Sequence, residues 1–290
     1  MVNVMLLTVV ILWGVSFVGT KMALAYLTPT EIIAVRVVLG LLSLRFILAL
    51  KRTRPRFERA DLWVLLFSSI ILGLHFWIQA VGLDYTTATN TGWLIATIPV
   101  FIAGASVLFL REKITSRRAA GIAMAAFGVI LLVSKGRLDR LDWLQSYGDW
   151  LILVSCVTWT VYTIATRNIS RRCNPLVLTY LLLIPPTLFL ILSVLLTSSP
   201  AAFIRLPISI ILVLVFLGVF CLGMAHWLWV EGLARKGATD AGVFIYLEPL
   251  VTTAVAVPVL NEQLTFFTIV GGVLIIGGVY IVERRSANGH

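Results

Sequence analysis

Long apolar stretches recur along the whole chain and leave it few ways to fold. Each runs for about 18–25 residues, which is enough for an α-helix to cross roughly 30 Å of hydrocarbon. Of the 290 residues, 60% are hydrophobic and 12% are charged, whereas soluble domains carry about 25% charged residues. Because backbone groups in lipid must form their hydrogen bonds within one segment, each stretch is predicted to be a helix.

We therefore predict an all-α integral membrane protein with ten transmembrane helices. Their approximate limits are 2–25, 30–50, 62–83, 87–110, 115–134, 149–167, 175–197, 208–231, 240–260 and 264–283.

The basic residues indicate how these helices are oriented. If the N-terminus is inside, 17 lysines and arginines lie on the cytoplasmic side and 4 lie outside, namely Lys135, Arg137, Arg140 and Arg205. An excess of basic residues marks the cytoplasmic side, so both termini are predicted to be cytoplasmic. The net charge of +10 is then explained by basic residues in the cytoplasmic loops and does not indicate a surface that binds nucleic acid. The predicted location is the cell (inner) membrane, with multiple passes.

The chain also repeats itself. At an offset of 150 residues, "GLDYTTATNTGWLIATIPV" (82–100) aligns with "GLARKGATDAGVFIYLEPL" (232–250), and at an offset of 146 residues Trp13 aligns with Trp159. We predict two five-helix repeats, 1–140 and 141–290, around a central cavity. Because five is odd, the second repeat crosses the membrane in the opposite sense, as in many secondary transporters.

Three segments resemble the EamA-type transporters of the drug/metabolite transporter superfamily. They are "WGVSFVGTKMAL" (13–24), "TTATNTGWLIATIPVFIAGASVLFLREKIT" (86–115) and "GATDAGVFIYLEPLVTTAVAVPVLNEQLT" (237–265). The resemblance implies ten helices around a cavity lined by spans 1, 3, 4, 6, 8 and 9. It also implies a secondary transporter that exports small organic metabolites such as amino acids, while related branches carry nucleotide sugars, phosphate esters or drugs.

A carboxylate and a proline meet in the middle of the ninth predicted span, in "IYLEPLVTT" (245–253). An ionised carboxylate there costs about 2.5–3.5 kcal/mol on insertion scales. Glu248 therefore either faces the cavity, where it titrates or pairs with a cationic substrate group, or is a neutral acid bonded to backbone near Pro249. Pro99 occupies the same place in the first repeat, and we predict that both prolines kink their spans and act as hinges.

Aromatic and polar side chains near mid-span are the other candidates for a cavity wall. With Glu248, the predicted substrate-binding residues are Trp13, Ser16, His75, Gln79, Trp93, Trp159, Tyr162 and Tyr246. Aromatic walls suit flat or cationic substrates. The alternative is that the rings fill the core and that Ser16 bonds within its own helix.

Lys21 and Arg36 are the two basic residues that lie inside predicted spans. We interpret both as snorkelling or surface-paired side chains, with Glu31 near Arg36. The alternative is that they face the cavity, where Lys21 would attract an anionic group such as a carboxylate near the outer mouth. A carrier of phosphate esters should show several basic residues in its cavity, so this substrate class is the weaker alternative.

Other classes of protein have less support. The three cysteines, Cys156, Cys173 and Cys221, have no metal-ligand spacing, and no G-x-x-x-x-G-K-[ST] motif occurs. We predict no cofactor, no metal and no enzymatic activity, and a membrane enzyme or scaffold ranks last because the acids are scattered. The expected partners are a small-molecule substrate, the lipid bilayer and protons as a candidate coupling ion, with no nucleic acid and a monomer or weak dimer.

Overall fold

The chain folds into a bundle of helices, without a β-strand among the residues that the computed structural model describes (1–53, 61–111, 114–134, 147–198, 201–260 and 266–283). The α-helices are α1 (Val2–Ala23), α2 (Pro29–Leu50), α3 (Leu62–Tyr85), α4 (Ala88–Ile95), α5 (Ile98–Leu110), α6 (Ser116–Ser134), α7 (Tyr147–Arg172), α8 (Pro175–Thr197), α9 (Ala201–Ile204), α10 (Ile208–Val215), α11 (Ala225–Lys236), α12 (Ala238–Gly242), α13 (Glu248–Leu260) and α14 (Phe266–Glu283). A π-helix, Phe216–Met224, joins α10 to α11, and a 3₁₀-helix, Val243–Leu247, joins α12 to α13.

Eight segments within the described ranges are long and apolar enough to cross a membrane. They are α1, α2, α3, Ala88–Leu110, α7, α8, Ile208–Lys236 and Ala238–Val259. The chain is thus a multi-pass membrane protein. The other two predicted spans correspond to α6 and to α14, whose stretch Val270–Val282 is a shorter apolar helix. A total of ten spans stays a prediction.

Part of the predicted topology lies outside the described residues. This applies to the external residues Lys135, Arg137 and Arg140, and to the cytoplasmic basic residues in 54–60 and 284–290.

Lys21 stabilises the end of α3. Its Nζ donates hydrogen bonds to the carbonyl oxygens of Leu83 at 2.8 Å, Asp84 at 3.0 Å and Thr86 at 2.8 Å. The last carbonyls of a helix lack intrahelical partners, and a cation satisfies them well. The Lys21 ammonium group is thus bound to backbone at the end of α3, and its interpretation as a snorkelling side chain stays a prediction.

Two of the spans are interrupted at corresponding places. The first breaks between α4 and α5, with Pro99 in the first turn of α5. The second passes through the 3₁₀-helix before α13, with Pro249 in the first turn of α13. Proline is well tolerated in a first turn, where its missing N–H would have no partner. The prolines thus begin new helical segments instead of bending continuous ones.

Close contacts at glycine occur in matched pairs. A Cβ atom built on Gly92 would lie 3.0 Å from Thr252 Oγ1, and one on Gly242 would lie 3.2 Å from Ile102 Cδ1. These two contacts are equivalent under the 150-residue offset. Gly92 aligns with Gly242, and Ile102 aligns with Thr252, so each glycine contacts the residue that aligns with the partner of the other. The same offset likewise interchanges the two contacts between α6 and α14, which join Gly121 to Gly278 and Gly128 to Gly271.

Candidate functional site

A small cavity lies among seven of the eight candidate spans found in the described residues. Its walls are formed by Trp13, Ser16, Phe17, Arg36, His75, Phe76, Gln79, Ile95, Ile98, Trp159, His226, Ile245 and Glu248. All of these except Gln79 are buried. The cavity volume is about 40 Å³. One buried water needs roughly 10–15 Å³ of such space, so the cavity holds a few waters.

Two tryptophans that align at the 146-residue offset lie in the cavity wall. Trp13 on α1 and Trp159 on α7 meet edge to face, with ring centroids 5.0 Å apart. Trp229 lies 5.5 Å from Trp13 and 5.6 Å from Trp159. Aromatic pairs favour such tilted geometries. The rings therefore form one connected cluster, and part of it faces the cavity.

His75 is held in a defined orientation on α3. Its Nδ1 lies 2.9 Å from the carbonyl oxygen of Ser155 and 3.3 Å from the hydroxyl of Thr158, and its ring lies 4.9 Å from that of Trp159. A carbonyl oxygen only accepts, so Nδ1 carries a proton in this arrangement. In the neutral ring, Nε2 is then left as an acceptor.

His226 follows the π-helix and contacts the same aromatic cluster. Its ring lies 5.1 Å from Trp13 and 5.0 Å from Phe76. Neither ring nitrogen makes a hydrogen bond of good geometry, although the carbonyls of Cys221 and Leu222 are near. The Cys221 carbonyl instead accepts from Trp13 Nε1 at 3.0 Å. Irregular π-helical stretches are frequent at functional sites, and this one places His226 on the cavity.

Glu248 is the first residue of α13 and is 2% exposed. Among the described residues, its carboxylate makes no hydrogen bond or ion pair. The first N–H groups of a helix lack intrahelical partners and carry a partial positive charge, which favours an acidic residue in the first turn. This position explains how a carboxylate and a proline are accommodated within a span. It also presents the carboxylate to the cavity.

The structure brings together some of the residues predicted to bind substrate. Trp13, Ser16, His75, Gln79, Trp159 and Glu248 line the cavity. Ser16 also donates to the carbonyl of Trp13 at 2.7 Å.

The other three predicted residues lie elsewhere. Tyr162 packs behind Trp159, with ring centroids 5.1 Å apart. Trp93 and Tyr246 belong to a second apolar cluster, in which Tyr246 Oη donates to the Ile122 carbonyl at 3.3 Å. These residues lie at the depth of the cavity along their spans, but their side chains point away from it. The rotation of each helical segment about its own axis decides this direction.

Arg36 is the residue that sequence reasoning missed. It lies on α2, in the cavity wall, and is 7% exposed. Glu31 does not pair with it, because the Glu31 carboxylate accepts hydrogen bonds from the Thr28 N–H at 2.8 Å and the Thr28 hydroxyl at 2.9 Å. The interpretation of Arg36 as a snorkelling or surface-paired residue is therefore wrong. Its depth, the eighth residue of α2, was the available signal.

No group of three or more His, Cys, Asp or Glu side chains arranged to hold a metal ion occurs in the part of the chain that the structure describes. The polar atoms of the cavity are instead distributed among hydrogen-bond donors, two imidazoles and one carboxylate.

Apolar spans gathered around a small cavity, which polar and aromatic side chains line, define a multi-pass membrane protein with an internal cavity. The chain belongs to the EamA-like transporter family, whose profile matches residues 1–134 and 146–284. A crystal structure shares the fold with a TM-score of 0.78 over 99% of this chain and 98% of that chain, at 18% sequence identity.

Relatives along the whole chain carry transporter names. An uncharacterized transporter of Archaeoglobus fulgidus is 31% identical over 289 residues, which is 98% of both chains. A probable amino-acid metabolite efflux pump of Escherichia coli is 26% identical over 96% of this chain and 93% of its own. A probable terminal-alkyne amino-acid exporter of Streptantibioticus cattleyicolor is 28% identical over 71% of this chain and 67% of its own.

Proposed function

We propose that the protein is a secondary transporter that exports small organic metabolites, such as amino acids, across the cell (inner) membrane. The observation that carries this proposal is the small cavity between the spans, to which both halves of the chain contribute polar and aromatic side chains. Sites between two repeats are a recurrent feature of secondary transporters. The names of the Escherichia coli and Streptantibioticus cattleyicolor relatives favour export and amino acids.

The proposed architecture is two inverted five-helix repeats, 1–140 and 141–290. The glycine contacts that the 150-residue offset interchanges support it. When a two-fold axis relates two halves, each contact between non-equivalent residues of the two halves occurs twice. The paired interruptions before Pro99 and Pro249 support it as well. With five helices in each half, the second half crosses the membrane in the opposite direction.

Transport then proceeds by alternating access. Ligand pockets usually measure about 300–1,000 Å³, whereas this cavity measures about 40 Å³, so it must widen to admit a metabolite. The interruptions between α4 and α5 and between α12 and α13 are the proposed hinges. They lie beside Ile98 and Glu248 in the cavity wall, so that motion there changes the site directly.

Glu248 is the proposed proton-coupling residue. A carboxylate in the cavity can exchange a proton with whichever side the cavity opens to, and can contact a cationic group of the substrate. The other titratable or charged side chains that face the same space are Arg36, His75 and His226.

Transport by purified protein in proteoliposomes tests this proposal. We expect exchange of at least one small neutral amino acid at about ten times the rate in protein-free liposomes. Trp159→Ala should reduce it at least about tenfold, because aromatic truncation removes a buried contact surface of the site. Trp63→Ala is the matched control, since Trp63 is 79% exposed. Absence of transport for every metabolite in a broad panel would contradict the proposal.

The proposed orientation is tested by labelling single cysteines in intact cells. Arg117 and Arg205 are both exposed, and they lie on opposite sides of the membrane in the predicted topology. In a background with Cys173 replaced by serine, a membrane-impermeant thiol reagent should modify Arg205→Cys and leave Arg117→Cys unmodified until the cells are opened. The reverse pattern would place both termini outside.

A further inference from the structure

Arg36 lines the cavity, and its guanidinium group has no counter-ion in the part of the chain that the structure describes. Its Nη1 donates to Thr20 Oγ1 at 3.2 Å, and its Nε has no hydrogen-bond partner. A guanidinium has five N–H donors in a planar fork, so one neutral hydroxyl satisfies only a small part of it. No carboxylate lies within ion-pair distance of Arg36 among the described residues. Glu31 is occupied at the cap of α2, and Glu248 lines the same cavity without pairing with Arg36.

A buried cation in this condition is unusual. Charges removed from water are normally paired or neutralised, because their desolvation is costly. An anionic ligand that enters the cavity and pairs with Arg36 would explain why this buried cation lacks a partner among the described residues. The planar fork also fits a carboxylate with two parallel hydrogen bonds, which gives geometric specificity as well as charge.

A second donor in the wall is also unused. Trp159 Nε1 is buried and has no partner, whereas Trp13 Nε1 is already bonded to the Cys221 carbonyl. Among the described residues, the cavity wall therefore contains unpaired N–H groups on Arg36 and Trp159 and an unpaired carboxylate on Glu248. These groups are complementary to a molecule that carries both an anionic and a cationic group beside an apolar or aromatic body.

We propose that Arg36 binds the carboxylate of a zwitterionic substrate while Glu248 binds its ammonium group. This inference rests on the proposed function of the cavity as a transport site. It adds α2 to spans 1, 3, 4, 6, 8 and 9, which the family resemblance assigns to the cavity. It also makes Arg36, rather than the aromatic wall, the group that selects carboxylate-bearing molecules.

The test uses three ligands that share one aromatic body. Phenylalanine carries both charges, phenethylamine only the ammonium and 3-phenylpropionate only the carboxylate. Binding to the purified protein is measured by calorimetry, and exchange is measured in proteoliposomes. The wild type should bind phenylalanine at least about tenfold more tightly than either fragment. Arg36→Gln should remove the preference for phenylalanine over phenethylamine, and Glu248→Gln the preference for phenylalanine over 3-phenylpropionate.

Arg36→Lys and thermal unfolding separate binding from folding. The lysine variant should keep part of the preference, because it retains the charge and loses the bidentate fork. All variants should unfold as single species in detergent, so that a loss of preference cannot be attributed to a loss of fold. If Arg36→Gln weakens all three ligands equally, or leaves the preference intact, Arg36 is structural and the inference is overturned.

Failure of the inference and failure of the proposed function give different results. If the wild type binds none of the three ligands and exchanges only metabolites that are not zwitterionic, the inference fails and the transporter proposal stands. If it exchanges a smaller amino acid instead, the same comparison is made with that amino acid, its amine and its carboxylic acid. If it exchanges nothing at all, both fail.

Discussion

Replacing Glu248 by glutamine is expected to abolish the acceleration of transport by a pH gradient and to slow exchange at least about 30-fold. Glutamine keeps the shape of the side chain but cannot release a proton or carry a negative charge. Removing one partner of a buried charge pair costs about 2–5 kcal/mol, and the lower value corresponds to roughly 30-fold in affinity. Exchange in proteoliposomes, with and without an imposed pH gradient, measures both effects.

Glu231→Gln is the matched control for this substitution. Glu231 lies on α11, outside the cavity, and pairs with Arg235. Its replacement should leave rate and pH response near the wild-type values. If Glu248→Gln transports with an unchanged response to the gradient, the carboxylate serves only to stabilise the start of α13. In that case His75 and His226, the other titratable groups of the wall, become the residues to replace.

Gly278→Ala is expected to destabilise the fold strongly. The new Cβ atom would lie 2.5 Å from the Gly121 carbonyl oxygen and 2.8 Å from both Cβ and N of Ala125. These neighbours are backbone atoms or a Cβ fixed to backbone, so α6 and α14 must separate. Small residues allow this close approach of helices in membranes. We expect a loss of about 1–3 kcal/mol in the free energy of unfolding, by analogy with overpacked cores, measured by unfolding in mixed detergent micelles.

Gly104→Ala provides the comparison. A Cβ built at Gly104 in α5 would have no described atom within 4 Å apart from its chain neighbours and the backbone of its own helix turns. Alanine also favours a helix by roughly 1 kcal/mol over glycine. This variant should unfold at or slightly above the wild-type midpoint. Equal destabilisation by the two substitutions would show that loss of glycine itself, rather than the α6–α14 contact, weakens the fold.

The helices could be predicted closely because they depend on local properties. The predicted limits of α2, 30–50, differ by one residue at the start from Pro29–Leu50. Capping residues such as Thr28 and Glu31 reinforce the hydropathy signal at that end. The same signal fails at Pro99 and Pro249, where hydropathy is continuous but the helix is not.

The cavity could be predicted only in part. Depth along a span is readable from the sequence, so Trp13, His75 and Glu248 were recognisable as mid-membrane side chains. The direction in which a side chain points from its helix cannot be read in this way. For this reason the sequence also predicts Trp93 and Tyr246 in the cavity, although they lie in the second apolar cluster. Arg36 was misjudged for the related reason that its surroundings come from other helices.

The sequence by itself determined a membrane protein of apolar helices with two matching halves, because hydrophobicity, helix length and repeated glycines and prolines are properties of the chain. Only the tertiary structure decided which side chains meet in the cavity and that no described carboxylate pairs with Arg36 there. Helix rotation and crossing arise from packing between segments far apart in sequence, and single-span hydropathy carries little information about them.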